Sequence, residues 1–373
     1  MEIKIKPVET KKELLEFIKF PFSIYKENKL WVPPIISDMQ GLLSPEKNPF
    51  WEHAEMKLFV LEKDGKIAGR IAAIIDRNFI QFHEEMTGFF GFYESINDTD
   101  VADRLLFTVK SWLKSKGMKK IIGPTAPSTN DEMGFLYEGY DTPPYLMMPH
   151  THRYYIGLME SIKMKKAKDL YAYLVNSADL PHDRLERINE IVYKRNPGLV
   201  VRKINLKNLE NDVKIAHTVY NLAWEKNWGF VPWTEKEFYE QYRKLKDLLL
   251  PDTTLLATIN DNPVGMLIGV PNYNELLKDF NGKMGPVQLV QFLLKRNKIK
   301  TMRIMIMGVV KEYRNKGIEG VLYHQIIKNG MAKGYNVGEF SWILEDNTMM
   351  CRAAEMLGGK LYKKYRVFET EIV

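Results

Sequence analysis

Residues 304–333 read IMIMGVVKEYRNKGIEGVLYHQIIKNGMAK, and this is the most informative segment of the chain. An apolar run leads into a short basic loop with Arg314, Lys316 and Gly317, and a helix-like apolar period follows at once. A helix that begins there exposes unpaired N–H groups, and Gly317 and Gly320 let a ligand approach the backbone closely. The loop is neither a Walker loop nor a Rossmann glycine pattern. The residues alone therefore leave two interpretations open, a diphosphate-binding loop or an ordinary tight turn.

The segment VVKEYRNKGIEGVLYHQII resembles the acyl-CoA-binding segment of GNAT acyltransferases, in which a strand, Arg/Gln-x-x-Gly-x-Gly/Ala and a helix follow one another. Arg314 and Gly317 match this pattern, whereas Glu319 falls on the second small position and Gly320 comes one residue later. The resemblance implies acetyl-CoA or another acyl-CoA as co-substrate. It implies these binding residues: Val309, Val310, Arg314, Asn315, Lys316, Gly317, Ile318, Gly320 and Asn347.

The stretch SWILEDNTMMCRAAEMLGGKLYKKYRVFE at 341–369 resembles the closing block of the same family. Asn347 and Gly358 match, but the position of the family's proton-donating Tyr is Ala354. The proton for the leaving thiolate is therefore assigned to Tyr365, with Tyr323, Tyr362 or water as alternatives. Glu345 follows the strand that ends near the thioester. It is the candidate general base, or else a surface carboxylate at a strand end.

The whole chain resembles an uncharacterised bacterial family through WVPP at 31–34, GKIAGRIAAIID at 65–76, GFFGFYE at 88–94 and GPTAPSTNDEMGFLYEGYDTPP at 123–144. The resemblance implies an α/β (α+β) fold of two tandem GNAT-like domains, each a mixed, mostly antiparallel sheet flanked by helices. We expect an N-terminal domain at 1–178, a helical connector at 179–198 and a C-terminal domain at 199–373. The N-terminal domain has INDTDVADRL where the basic loop would stand, so we expect it not to bind the CoA diphosphate.

Two further loops hold candidate substrate contacts. NWGFVPW at 227–233 offers Trp228 and Phe230 to an apolar acceptor or a long acyl chain, or else to an aromatic minicore. The loop at 123–152 offers Asn130 and Glu132, whose alternative role is to cap helices or bind backbone. His150 and His152 have no third ligand at metal-site spacing, so no metal is expected.

Composition limits the class of protein. With 373 residues, 45% hydrophobic and 27% charged, the chain suits two packed domains. One cysteine, no signal-peptide pattern and no apolar run of about 18 residues favour a cytoplasmic protein without a membrane partner. The net charge of +7 is scattered rather than striped, which argues against nucleic acid and suits polyanionic CoA.

The sequence thus supports two hypotheses. The first is an acyl-CoA-dependent N-acyltransferase, acetyltransferase-like, that acts on a small amine, amino acid or peptide. The alternative is a non-catalytic GNAT-like protein that binds a ligand or partner. In either case we expect a monomer in which the two halves form a pseudo-dimer.

Overall fold

A computed structural model describes residues 2–246 and 248–372. The strands are β1 Ile3–Pro7, β2 Ala54–Lys63, β3 Lys66–Asp76, β4 Thr87–Ser95, β5 Lys120–Ala126, β6 Glu132–Met133, β7 Phe135–Glu138, β8 Lys165–Asn176, β9 Leu199–Lys203, β10 Thr254–Ile259, β11 Asn262–Pro271, β12 Thr301–Val309, β13 Val337–Leu344 and β14 Lys360–Glu371. The α-helices are α1 Lys11–Ile24, α2 Ile36–Leu42, α3 Arg77–His83, α4 Thr99–Ser115, α5 Tyr154–Ser161, α6 His182–Arg195, α7 Leu209–Trp224, α8 Glu235–Leu245, α9 Asn274–Leu277, α10 Pro286–Lys295, α11 Ile318–Ala332 and α12 Thr348–Met356.

The chain divides into two compact units. Unit 1 contains the residues up to Leu170, together with Asn274–Arg296 and the residues from Lys363 onward. Unit 2 contains Tyr171–Tyr273 and Asn297–Tyr362. The segments 274–296 and 363–373, which the sequence groups with the C-terminal half, thus belong to unit 1. For β14 the reason is its antiparallel pairing with β5, from Phe368 opposite Gly123 to Glu371 opposite Lys120.

Unit 1 is built on a mixed sheet. Strands β1 to β4 pair successively in antiparallel fashion, and β4 pairs with β5 in parallel. The β2–β3 hairpin turns at Asp64 and Gly65, whose positive φ values of 50° and 76° suit a tight two-residue turn. Helix α4 packs on this sheet so closely that a Cβ on Gly69 would lie 2.6 Å from Leu105 Cδ1. Burial of Val101, Leu105 and their neighbours on α4 forms the core of the unit.

Unit 2 repeats the arrangement. Strands β9 to β12 pair antiparallel in the order β9, β10, β11, β12, and β12 pairs with β13 in parallel. Helix α7 packs on one face, where Val213 and Ala216 join Met266 and Val310 in an apolar cluster. Helices α6, α11 and α12 contribute to a second cluster that includes Val309. Each unit is therefore a mixed, mostly antiparallel sheet flanked by helices, as the sequence predicts.

Candidate functional site

Strands β12 and β13 part from each other in unit 2. Their parallel pairing runs from Thr301 opposite Val337 to Ile304 opposite Phe340. Strand β12 continues beyond this paired stretch through Met305–Val309, and the residues from Met305 to Gly308 are only half-buried. The strand before the basic loop therefore separates from its neighbour. A strand edge with unpaired backbone groups can bind an amide-containing chain by hydrogen bonds.

The backbone of β12 directs alternate residues towards this opening. The Val310 N–H donates to the Val264 carbonyl at 2.9 Å, so Val310 faces β11. Because successive residues of a strand point their N–H and C=O groups to opposite sides, Gly308 also faces β11, whereas Met307 and Val309 face the opening. Of the predicted pair Val309 and Val310, the Val310 N–H is thus committed to the protein itself.

Arg314 binds backbone carbonyls of its own chain. Its Nε donates to Val309 O at 3.1 Å, and its Nη2 donates to Ala223 O at 2.5 Å. Ala223 lies in the last turn of α7, where a cation stabilises the carbonyl end of the helix dipole. Arg314 therefore joins the end of β12 to α7.

Helix α6 covers one face of the loop that precedes α11. Gly317 is the N-cap of α11 with φ +80°, and a Cβ there would lie 2.5 Å from Val192 Cγ2. A Cβ on Gly320 would lie 2.7 Å from Ile188 Cγ2. Both glycines are consequently required by the close approach of α6, whatever else they bind.

The other loop residues have individual environments. Asn315 and Lys316 are exposed, Asn315 has φ +62°, and Lys316 Nζ lies 4.5 Å from the centre of the Tyr313 ring. Ile318 is fully buried in the core. Glu319 is half-buried at the first turn of α11, and burial raises the pKa of its carboxyl group.

An aromatic cluster stands against β12 on the α7 side. Trp224 lies over Gly308, where a Cβ would be 2.3 Å from Trp224 Cη2. Tyr220 stacks on Trp224 and Trp233 at centroid distances of 4.9 and 5.3 Å. Phe230 is buried, and its ring centroid lies 5.9 Å from that of Tyr220. The sequence identified the aromatic loop but not the contact between Trp224 and Gly308, which are far apart in the chain.

Trp228 and the residues after β13 are more accessible. Trp228 and Glu345 are both half-buried, and Glu345 immediately follows β13. Asn347 is the N-cap of α12, where its Oδ1 accepts from the Met350 N–H at 3.2 Å. Ala354 is fully buried in the core.

The alternative proton donors and the cysteine are buried to different extents. The Tyr323 hydroxyl contacts Met350 Sδ at 3.8 Å, and burial raises its pKa strongly. Burial likewise raises the pKa of the half-buried Cys351 thiol, which keeps this thiol protonated at neutral pH.

A buried polar network lies just before the point where β12 and β13 part. Arg303 on β12 is opposite Glu339 on β13, and both are buried. The Arg303 guanidinium donates to Ser341 Oγ at 2.9 Å and Ser341 O at 3.1 Å. The Ser341 and Tyr362 hydroxyls donate to the Glu339 carboxylate. Tyr362 is an alternative proton donor in the sequence analysis, but the sequence does not reveal this network, because its members come from three strands.

The remaining predicted residues lie in unit 1. Asn130 N–H donates to Ser128 Oγ at 3.1 Å within a turn, and Glu132 pairs with Ala126 between β6 and β5. Tyr365 is fully buried on β14. Its assignment as proton donor stays a prediction, as do the substrate roles of Asn130 and Glu132.

The helix that follows β4 in unit 1 has its own cap. Asp98 Oδ1 accepts from the Asp100 and Val101 N–H groups at 3.0 and 3.3 Å. The Lys63 ammonium binds the other oxygen of the same carboxylate. The Asp98 side chain thus satisfies N–H groups that an anion would otherwise bind at this helix end.

Among residues 2–246 and 248–372, no group of three or more His, Cys, Asp and Glu side chains is placed to hold a metal ion. Within the same ranges, no helix has the length and apolar content needed to cross a bilayer.

The chain is similar to two curated proteins over nearly its full length. It is 36% identical over 369 residues to protein YghO of Escherichia coli strain K12, covering 97% of this chain and 94% of YghO. It is 33% identical over 376 aligned positions to the bacterial ceramide synthase of Caulobacter vibrioides, covering 99% and 97% of the two chains. No protein-family model matches the chain.

Solved structures show the same fold at low identity. A tandem GNAT protein from the clavulanic acid biosynthesis pathway superimposes on this chain with a TM-score of 0.59 at 10% identity. The alignment covers 100% of this chain and 99% of the other chain. A GCN5-related glucosamine N-acetyltransferase region of a fungal β-N-acetylglucosaminidase gives 0.57 at 12% identity, covering 99% of this chain and 38% of its own. These comparisons establish a tandem GNAT fold.

Proposed function

Because the chain belongs to the family that includes E. coli YghO and the C. vibrioides bacterial ceramide synthase, we propose that it is an acyl-CoA-dependent N-acyltransferase that acylates a long-chain amine. The observation that carries acyl transfer is the parting of β12 and β13 beyond Ile304 and Phe340 in a GNAT fold. The observation that points to a long-chain amine as the acceptor is the full-length similarity to a ceramide synthase.

The opening suits the pantetheine arm of an acyl-CoA. That arm carries two amides, which need hydrogen-bonding partners once they leave water. The Met307 backbone and the Val309 N–H face the opening and are the proposed partners. The Val310 N–H already donates to Val264 O, so Val310 is proposed to contribute only its apolar side chain to the site wall.

We propose that the diphosphate binds on the side of the loop before α11 that α6 does not cover. Lys316 and Asn315 are exposed at the loop before α11, and they can approach an anion without displacing Val192 or Ile188. Arg314 contributes positive charge while it holds Val309 O and Ala223 O. The Asn347 side chain caps α12 and is proposed to position this end of the site.

The acceptor is proposed to be a long-chain amino alcohol. A ceramide is the amide of such an amine, so a relative of that name points to an amine nucleophile on an apolar chain. Trp228 is half-buried at the aromatic loop and offers apolar surface to either chain. Phe230 is buried and supports this loop from within.

The reaction needs a base for the amine and a proton for the thiolate. The amine nitrogen attacks the thioester carbonyl, the C–N bond forms, the C–S bond breaks and CoA leaves as the thiol. Glu345, half-buried after β13, is the proposed acceptor of the amine proton. Since Ala354 replaces the family's Tyr, and Tyr365 is fully buried in unit 1, water is the proposed proton source in unit 2.

Unit 1 is proposed to lack a CoA diphosphate site. The Asp98 carboxylate caps α4 and pairs with Lys63. A second anion at this helix end would meet like charge, which disfavours binding.

One observation favours the alternative, a protein that binds a ligand without turnover. Val192 and Ile188 occupy the space beside Gly317 and Gly320, and they limit how closely a diphosphate can approach these glycines. If they exclude CoA altogether, the opening would hold a different ligand.

The test is acyl transfer by the purified full chain. Palmitoyl-CoA or acetyl-CoA is mixed with sphinganine, a short alkylamine or an amino acid, and both CoA thiol release and the amide product are measured. We expect amide formation with the long-chain amine and a long-chain acyl-CoA. Thermal shift provides a separate binding measurement, because ligand at 100 times its Kd adds about 2.7 kcal/mol of stability.

The outcomes separate the two functions. A thermal shift without amide formation from any amine would favour the non-catalytic alternative. Amide formation from amino acids alone would contradict the proposed acceptor but retain acyl transfer. No shift with any acyl-CoA and no product would contradict both the co-substrate and the reaction.

A further inference from the structure

Helix α10 in unit 1 exposes apolar side chains to solvent. Relative exposure is 64% at Val287, 51% at Leu289, 56% at Val290, 50% at Leu293 and 72% at Leu294. Single exposed apolar residues are ordinary on protein surfaces, but a contiguous group indicates a binding surface. We call these five residues the α10 apolar face.

The α10 apolar face covers one side of the helix. At about 100° per residue, its members span roughly 160° of the helix circumference. Phe292 lies outside this arc and is buried, so it attaches the helix to unit 1. The arc therefore faces away from the protein.

The segment before α10 is fixed to unit 1. The Gly282 carbonyl accepts from the Ile36 N–H at 2.9 Å, and a Cβ on Gly282 would lie 2.6 Å from Phe22 Cζ. Pro286 stands in the first turn of the helix, and Gln288 Oε1 accepts from the Gly285 N–H at 3.2 Å. The apolar face is thus presented by a defined, anchored helix.

The charged residues within the segment that carries this face have one sign. Between Phe280 and Arg296 the sequence has Lys283, Lys295 and Arg296 and no acidic residue. Lys283 and Lys295 are exposed. Basic residues beside an apolar helical face are typical of helices that lie at the surface of anionic bilayers.

We propose that the α10 apolar face inserts into the interface of an anionic lipid bilayer, with Lys283, Lys295 and Arg296 at the level of the headgroups. A helix of ten residues is about 15 Å long, half the thickness of a bilayer core. It therefore lies in the membrane plane. This inference does not depend on acyl transfer, and it departs from the expectation that the chain has no membrane partner.

Vesicle flotation of the full chain tests the proposal. Vesicles contain either phosphatidylcholine alone or phosphatidylcholine and phosphatidylglycerol in equal parts. We expect the wild-type chain to float with the anionic vesicles and to stay in solution with the neutral ones. Added salt should weaken flotation, because it screens the basic residues.

Four variants identify the surface. V290E/L294E places charge in the α10 apolar face and should lower the partition coefficient by about tenfold or more. K283Q/K295Q/R296Q should lower it by roughly fivefold for each charge removed. Phe107→Glu alters a side chain on α4 that is 68% exposed, and it should float like wild type. Leu294→Gln is a milder change in case the double variant does not fold.

Several outcomes would overturn the proposal. These are a wild-type chain that does not float with anionic vesicles, or V290E/L294E and Leu294→Gln chains that float as well as wild type. A dimer in light scattering that V290E/L294E converts to monomer, without flotation of wild type, would assign the face to a second copy of the chain. None of these readouts uses enzymatic activity, so they remain decisive if the acyl-transfer assay fails.

Discussion

Ile188 and Gly320 hold helices α6 and α11 in close contact, since a Cβ on Gly320 would lie 2.7 Å from Ile188 Cγ2. Glycine inside a helix costs about 1 kcal/mol relative to alanine. Its presence at position 320 is explained by the space that Ile188 needs.

Gly320→Ala should therefore destabilise the protein by about 1–3 kcal/mol despite its better helix propensity. Ile188→Ala should restore much of that loss when the two changes are combined, because it removes the clashing methyl group. Urea unfolding of the single and double variants measures the coupling. Gly157→Ala in α5, where a Cβ meets nothing within 4 Å, is the matched control and should be neutral or stabilising. Equal effects of Gly320→Ala and Gly157→Ala on the free energy of unfolding would contradict the close contact between α6 and α11.

Gly308→Ala should destabilise unit 2 by about 1–3 kcal/mol, because the added methyl would collide with Trp224 at 2.3 Å. Trp224→Phe should relieve the collision and restore part of the stability in the double variant. Gly338→Ala on β13 is the control, since its Cβ would meet Phe340 at an ordinary 3.7 Å. Equal destabilisation by both glycine changes would refute the contact between Trp224 and Gly308.

Glu345→Gln should lower kcat for acyl transfer by about 100-fold or more if its carboxylate accepts the amine proton. The melting temperature should change little, because the side chain is only half-buried. Asp346→Asn alters the exposed neighbouring carboxylate and should leave kcat near wild type. Equal losses in both variants would argue for a general charge effect, and no loss in Glu345→Gln would assign the base elsewhere.

His150 should make the stability of the chain depend on pH. Burial, with added repulsion from Lys363, lowers its pKa from 6.5 to about 4. Its Nε2 lies 3.1 Å from Asn28 Nδ2, and since the Asn amide donates, the ring nitrogen accepts and is unprotonated. Lys363 is itself buried and donates to Gly139 O and Thr142 O.

Because the folded-state pKa is depressed, the unfolded chain binds the proton more tightly. The stabilising contribution is complete above pH 6.5 and is lost as pH falls towards 4, by roughly 3 kcal/mol. His150→Gln should flatten the dependence of unfolding free energy on pH between these values. His182→Gln at the exposed start of α6 should leave the slope unchanged. A slope that persists without His150 would contradict this assignment.

The local structure of the chain could be predicted from its sequence to a large degree. Strand β3 follows its turn at Asp64 and Gly65, and α11 begins beside Gly317 where the apolar period changes. These features depend on residues close together in sequence. The loop at 123–152 contains the short strands β6 and β7. Strand β6 pairs with the nearby β5, but β7 pairs with the distant β14, which the local sequence does not reveal.

The site was less predictable because its contacts are non-local. The expected connector at 179–198 contains α6, yet nothing in its pattern shows that Val192 lies against Gly317. In the sequence, Arg314 is compatible with binding either an anion or backbone carbonyl groups. Only the structure shows that it donates hydrogen bonds to Val309 O and Ala223 O. The type of residue in a motif limits the roles that its position can have. The contacts that the residue makes in the folded structure determine which of these roles it has.

The Arg314 hydrogen bonds have a consequence for how bulky molecules can be accommodated. Strand β12 is tied to α7 at two points, through Arg314 and through the ring of Trp224 over Gly308. The β12 side of the opening is therefore expected to be rigid, because moving β12 would break the charged hydrogen bonds of Arg314 and expose the Trp224 indole ring. Selection or engineering for larger acyl groups should consequently alter the β13 residues after Ser341, which neither Arg314 nor Trp224 holds in place.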